Sequence, residues 1–226
     1  MKKIINIVVL FATCGYLNAQ SFDSTVNSEK KKKIESLMDM WLGIGYSTVS
    51  GGESSSGSST SGTVGTQVGV GMNVYSFSKS FAINVGIVGS WQGAKYKSTY
   101  SSYNDSSYNT TTESTTSSLK LFYLGIPILA RYQSNSGFYA EAGLQPAFLL
   151  SAKYKSGSTS MDYKSYLNSF DLGIPLGAGY RFSKHFMVGA RIIPGITNIN
   201  KKSAYTYSSN PSEHNLIALV RAGYTF

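Results

Sequence analysis

Ser212-Glu213-His214 places a hydroxyl, a carboxylate and an imidazole side by side near the end of this 226-residue chain. A serine whose proton can pass to a histidine becomes a nucleophile, and acyl transfer is the chemistry that would follow. Contiguity works against it, because neighbouring side chains of an extended strand point to opposite faces. His185, within Ser183-Lys184-His185, reads as a solvated turn residue. No metal-ligand cluster, phosphate loop or nucleotide fingerprint occurs, so no metal and no cofactor is expected; Gly69-Val70-Gly71 is better explained as small residues on one face of a strand. The second set of candidates is Arg131, Glu141, Asp171, Arg181, Arg191 and Arg221, single charges set in apolar or glycine-rich segments. Charges placed in such surroundings need a shared polar compartment, and the elements around them must supply it.

Those elements are segments of period-two alternation, eight of them, at Met40–Val49, Val64–Tyr75, Phe81–Gln92, Leu119–Tyr132, Phe138–Lys153, Phe170–Phe182, Phe186–Asn198 and Leu216–Phe226. Val64–Tyr75 is the clearest: Val64, Val68, Val70, Met72 and Val74 share one parity, Gly65, Gln67, Gly69, Gly71 and Asn73 the other. The terminal segment alternates to a closing Phe226 while carrying Arg221 on its second face. One face suits lipid and the other a polar lumen, as in an outer-membrane strand. Links after the second, fourth and sixth segments are short, and the intervening ones, 50–62, 93–118, 154–168 and 199–213, are long and polar. The expectation is an all-β, eight-stranded antiparallel transmembrane β-barrel, an up-and-down meander over residues 40–226. A soluble barrel would turn its apolar face inward, against the glycines and charges of the minor face. Prolines 127, 146, 175 and 194 each remove a ladder donor and suggest bulges or register features.

Residues 1–20 read as a signal peptide: Lys2-Lys3, an apolar run from Ile4 to Phe11, and a small-residue exit at Leu17-Asn18-Ala19. The run is shorter than the roughly 20 apolar residues a membrane helix needs. Cys14, the single cysteine, lies within it, which excludes disulfides from the mature chain; a lipoprotein acylated at Cys14 is the alternative. Residues 21–39 form a periplasmic N-terminal segment, in which a lysine run precedes Ile34, Leu37 and Met38 at helical spacing, either a short helix at the barrel mouth or a solvated tether. Without Lys2 and Lys3 there are 18 basic and 11 acidic residues, about +7. That charge lacks the aromatic-basic pattern of nucleic-acid binders. In an exported chain it suits outer-membrane lipids and lipopolysaccharide phosphates.

Tyr123-Leu124-Gly125-Ile126-Pro127-Ile128-Leu129-Ala130-Arg131-Tyr132, followed by Phe138-Tyr139-Ala140-Glu141-Ala142-Gly143, resembles the Bacteroidetes outer-membrane β-barrel domain family that includes PorT-like proteins. Asp171-Leu172-Gly173, Gly177-Ala178-Gly179-Tyr180 and Gly195-Ile196-Thr197-Asn198-Ile199 are similar to its later strands. The resemblance implies an eight-stranded barrel without catalytic residues, and its PorT branch implies a link to protein secretion and gliding machinery.

By parity, Arg131, Glu141, Asp171, Arg181, Arg191 and Arg221 face the lumen, where they form an ion-pair plug or, alternatively, a gated ion path or anion site. Tyr96, Tyr100, Tyr103 and Tyr108 stand among Ser, Thr and Asn in the 93–118 link as loop contacts for a protein partner, since tyrosine offers large contact area at modest entropic cost. The N-terminal segment is a second partner site. The expected function is a structural or surface-binding envelope protein, not an enzyme. A small ion or solute channel is the alternative, and a barrel-borne lipid acyl hydrolase a more remote one.

Overall fold

In the first strand, β1 (Met38–Ser50), Leu42, Ile44 and Tyr46 are exposed while Asp39, Trp41 and Ser47 are buried, so one parity faces outward and the other inward. The same rule runs through the inner parts of β2 (Ser58–Ser76), β3 (Phe81–Asn104) and β4 (Asn109–Gly125) and through β5 (Ile128–Gln133), β6 (Phe138–Ser156), β8 (Phe170–Gly173), β9 (Leu176–Arg181), β10 (Phe186–Pro194) and β11 (His214–Thr225), whereas β7 (Thr159–Asp162) is exposed on both faces. This computed structural model describes residues 38–51, 58–104, 109–201 and 212–226. The leader expected over 1–20, and residues 21–37 after it, lie outside the described residues.

β4 and β5 are one stave interrupted at Ile126-Pro127, and β8 and β9 another interrupted at Ile174-Pro175. Counted so, eight staves pair antiparallel in chain order, and β1 closes on β11 from Asp39↔Thr225 to Ser50↔His214. Each expected segment is a stave. Pro127, Pro146, Pro175 and Pro194 stand on four successive staves and still serve the ladder as acceptors: Gly86 N–H donates to Pro127 O (3.0 Å), Ile126 to Pro146 (2.8 Å), Gly143 to Pro175 (3.1 Å) and Ile174 to Pro194 (2.9 Å). A proline lacks only its donor, so a row of them keeps half of each exchange.

Aromatic side chains mark the edges of the apolar outer face. At the rim with the short turns, Phe81 packs on Tyr132, and Phe186 on Tyr224 with Phe226 beside it. Further along, Trp91 stacks on Phe122 at 4.7 Å, and Phe148 meets Phe170 edge to face at 5.8 Å. Ten residues separate Phe81 from Trp91, about 33 Å of strand or about 25 Å along the normal at a 40° tilt, the height of an outer-membrane apolar band.

Three expectations about connections change. The 93–118 link is not a loop: β3 and β4 stay in register from Ala94↔Leu119 to Asn104↔Asn109. Beyond the bilayer both faces of a strand meet water, so hydrophobic alternation disappears while the hydrogen-bond ladder continues. For the same reason β2 starts at Ser58, inside the expected 50–62 link. The 154–168 link holds β7 and a 3-10 turn, Lys164–Tyr166.

Candidate functional site

Near the short-turn rim the lumen is filled by charge. Glu141, on β6, receives Arg191 Nε–H at 2.9 Å, a second bond from Arg191 Nη2, Arg221 Nη2, and Arg131 Nη2 at 3.2 Å. Arg131 reaches the other way to Asp39, which also accepts Thr225 Oγ1 at 2.7 Å and lies 3.6 Å from Arg181. Arg131 thus joins two carboxylates, each buried, into one network of four arginines. Glycine makes the room: a Cβ on Gly177 would stand 2.9 Å from Glu141 Oε1, and one on Gly189 2.3 Å from the Tyr139 hydroxyl. The Arg191 and Arg221 guanidiniums lie over the Trp41 ring at 4.9 and 5.1 Å, and Arg131 over Tyr139 at 5.8 Å, aromatic faces standing in for absent anions.

Asp39 was not among the sequence candidates. It falls just before the first alternating segment, between two methionines, where the sequence reads as the end of the N-terminal segment. Two signals point to it: it shares parity with Trp41 and Gly43, and four arginines against Glu141 alone demand another carboxylate. Asp171 is corrected in the opposite sense. It is buried in the lumen, yet it bonds Thr197 Oγ1 and Asn215 Nδ2 (2.7 Å) and makes no ion pair with an arginine among the described residues. Parity gave its face. The level along the barrel, set by the stagger of the strands, separates it from the arginines.

Asp171 belongs to a middle layer with Gln67, Ser90, Tyr123, Gln145 and Asn215, around a cavity of about 20 Å³. Gln67 donates to Ser90 Oγ at 3.0 Å and Asn215 to the Tyr123 hydroxyl at 3.2 Å. Outward of it the lumen is apolar, with Leu119, Leu121, Leu149 and Leu167 in one cluster and Val49, Ala94 and Ile199 in another. Leu167 and Ile199 come from connections folded inward and tied to each other: Asn168 N–H donates to Ile199 O at 2.7 Å, and its side-chain amide to Asn198 and Asn200 carbonyls. Tyr96 is corrected by the same packing. It is half-buried against both apolar clusters, facing inward, and is no loop contact. Tyr100 and Tyr103 lie on the outer part of β3, their side chains outside the described structure, and Tyr108 is outside the described residues.

At the outer rim, Ser212 Oγ is 3.1 Å from His214 Nε2, and His214 Nδ1 is 2.9 Å from Thr197 O. The two side chains meet because they are two residues apart and share a face. Glu213 contributes only its backbone, donating to Asn198 Oδ1 at 3.1 Å, so the contiguous triplet is not a triad. His185, in its turn, has Nδ1 2.9 Å from Thr225 O.

A sequence search of curated proteins finds no match to this chain. Among solved structures, similar folds are neisserial surface protein A (13% identity over 84% of this chain and 97% of that one, TM-score 0.49) and Ail, the attachment invasion locus protein of Yersinia pestis (14%, 85% and 100%, 0.45). Outer membrane protein OprG of Pseudomonas aeruginosa is a third (15%, 84% and 97%, 0.38). The family model for the outer membrane protein β-barrel domain matches residues 18–201. Eight closed antiparallel staves with an apolar outer face and a charged lumen agree with that match, and the chain belongs to the outer membrane protein β-barrel domain family.

Proposed function

We propose that this outer-membrane barrel is a non-enzymatic surface protein that engages a protein partner through the end of its β3–β4 hairpin. The observation that carries the reading is the ladder from Thr99↔Ser114 to Asn104↔Asn109. The β2 ladder ends at Ser58↔Ser98 and the β6 ladder at Ser117↔Ser156, so this ribbon has no third strand among the described residues. Its open backbone edges are what a partner's strand adds to. Its sequence, 99–116, is Ser, Thr, Tyr and Asn with only Asp105 and Glu113 charged, a composition suited to adaptable contacts.

Membership of a PorT-like secretion assembly is the more specific form of this reading, supported by the motifs around Pro127 and Glu141. A channel is disfavoured by the filled layers of the lumen, and hydrolysis by the lack of a carboxylate on His214 among the described residues. The test is a chain in which Asn-Gly joins Thr99 directly to Ser114, assayed by photo-crosslinking from Thr115 in intact cells. The barrel should assemble at normal yield and lose the crosslinked partner; an unchanged crosslink would overturn the proposal.

A further inference from the structure

Five lysines stand on one patch of the outer face: Lys95 and Lys97 on β3, Lys120 on β4, Lys153 and Lys155 on β6, all exposed. Cross-strand register gathers them into rows. Lys120 lies directly opposite Lys153, and Ser118 sits between Lys95 and Lys155 in the next row out. Like charges opposite one another are destabilising unless an anion shares them. None of these five lysines forms an ion pair among the described residues. The acidic neighbour, Asp162, opposite Lys153, turns its Oδ1 to the Lys164 N–H at 2.9 Å.

Height identifies the anion. Lys120 is two residues beyond Phe122, and Lys95 four beyond Trp91, which places the rows about 5 and about 10 Å outside the aromatic line at a 40° strand tilt. That is the depth of lipid headgroups. The patch is on the side of the long connections, the outer side of such barrels. We infer that Lys95, Lys120, Lys153 and Lys155 form a docking site for the phosphate groups of an outer-leaflet glycolipid of the lipopolysaccharide class. Lysine suits this role as a mobile point charge whose apolar stem lies along the strand surface. The site is independent of the ribbon's protein partner.

The experiment titrates lipopolysaccharide into the purified full-length protein in an uncharged detergent and follows binding by thermophoresis. Lys120→Gln with Lys153→Gln should weaken binding roughly 10–30-fold, as for two charges removed from an anionic surface. Lys79→Gln with Lys184→Gln, at the opposite rim, should leave it unchanged. Chemically dephosphorylated lipopolysaccharide should bind the wild type as weakly as intact lipopolysaccharide binds the Lys120/Lys153 variant. Should that variant fail to fold, Lys95→Gln with Lys155→Gln makes the same test. Equal binding by the variants, equal binding of dephosphorylated glycolipid, or displacement by inorganic phosphate would each overturn the assignment.

Discussion

Asp39 and Thr225 meet across the seam that closes the barrel, as register partners on β1 and β11 and through a hydrogen bond of 2.7 Å from Thr225 Oγ1 to Asp39 Oδ1. The first described turn of sheet is thereby tied to the last, and the same carboxylate holds Arg131 and faces Arg181. Removing Asp39 leaves the buried Arg131 guanidinium and the partly buried Arg181 guanidinium short of an anion. Asp39→Ala should therefore cost about 3–5 kcal/mol, and Thr225→Val, which removes a single hydrogen bond, only about 1 kcal/mol. Urea unfolding in detergent micelles reads the difference, and equal costs would show that Asp39 does not organise the arginines.

Glu141 has a larger share of the network, with Arg131, Arg191 and Arg221 all on its two oxygens. Glu141→Ala should destabilise the barrel by at least about 3–5 kcal/mol, whereas Asp162→Ala, at an exposed site where one hydrogen bond from the Lys164 N–H is lost, should cost only about 1 kcal/mol. Heat-modified gel migration ranks the two. Similar transition temperatures would remove the network from the account of stability.

Val70 lies opposite Ile87 on the outward face, close to midway between the Phe81 and Trp91 levels. Val70→Arg puts a charge into hydrocarbon and should cost roughly 2–4 kcal/mol of folding free energy in bilayers. Thr115→Arg, exposed on the hairpin beyond the lysines, should cost about 0.5 kcal/mol or less. A tolerated Val70→Arg would mean that the faces are inverted.

Three layers of side chains cross the lumen: the arginine network, the polar layer around the small cavity, and the apolar caps of Leu167 and Ile199. Purified protein in planar bilayers should give no stable conductance steps. Large, long-lived openings in the wild type would require the layers to part.

The eight staves are legible in sequence wherever a strand separates two unlike surroundings. Val64 to Val74 is clear because hydrocarbon lies on one side and crowded lumen on the other. The Thr99–Thr116 ribbon loses that contrast, and with it any periodic signal, although its ladder is as regular. Arg131, Glu141, Arg181, Arg191 and Arg221 are legible as lumen residues from parity. Which of them touch depends on stagger between strands, and composition carries no trace of that. Asp171 shows the limit, facing the predicted side and meeting asparagine and threonine where arginine was expected.

Pro127, Pro146, Pro175 and Pro194 have a collective effect as well as a local one. Each takes one donor from its stave, and together they thin the hydrogen-bonded fabric along a line crossing four neighbouring staves, between the arginine network on one side and the inward-folded connections on the other. A sheet is stiff because every strand is laced to the next on both sides. Along this line the lacing is sparser, so that half of the barrel wall has fewer rungs to break than the half built by β1, β2, β3 and β11, where no proline interrupts the ladder.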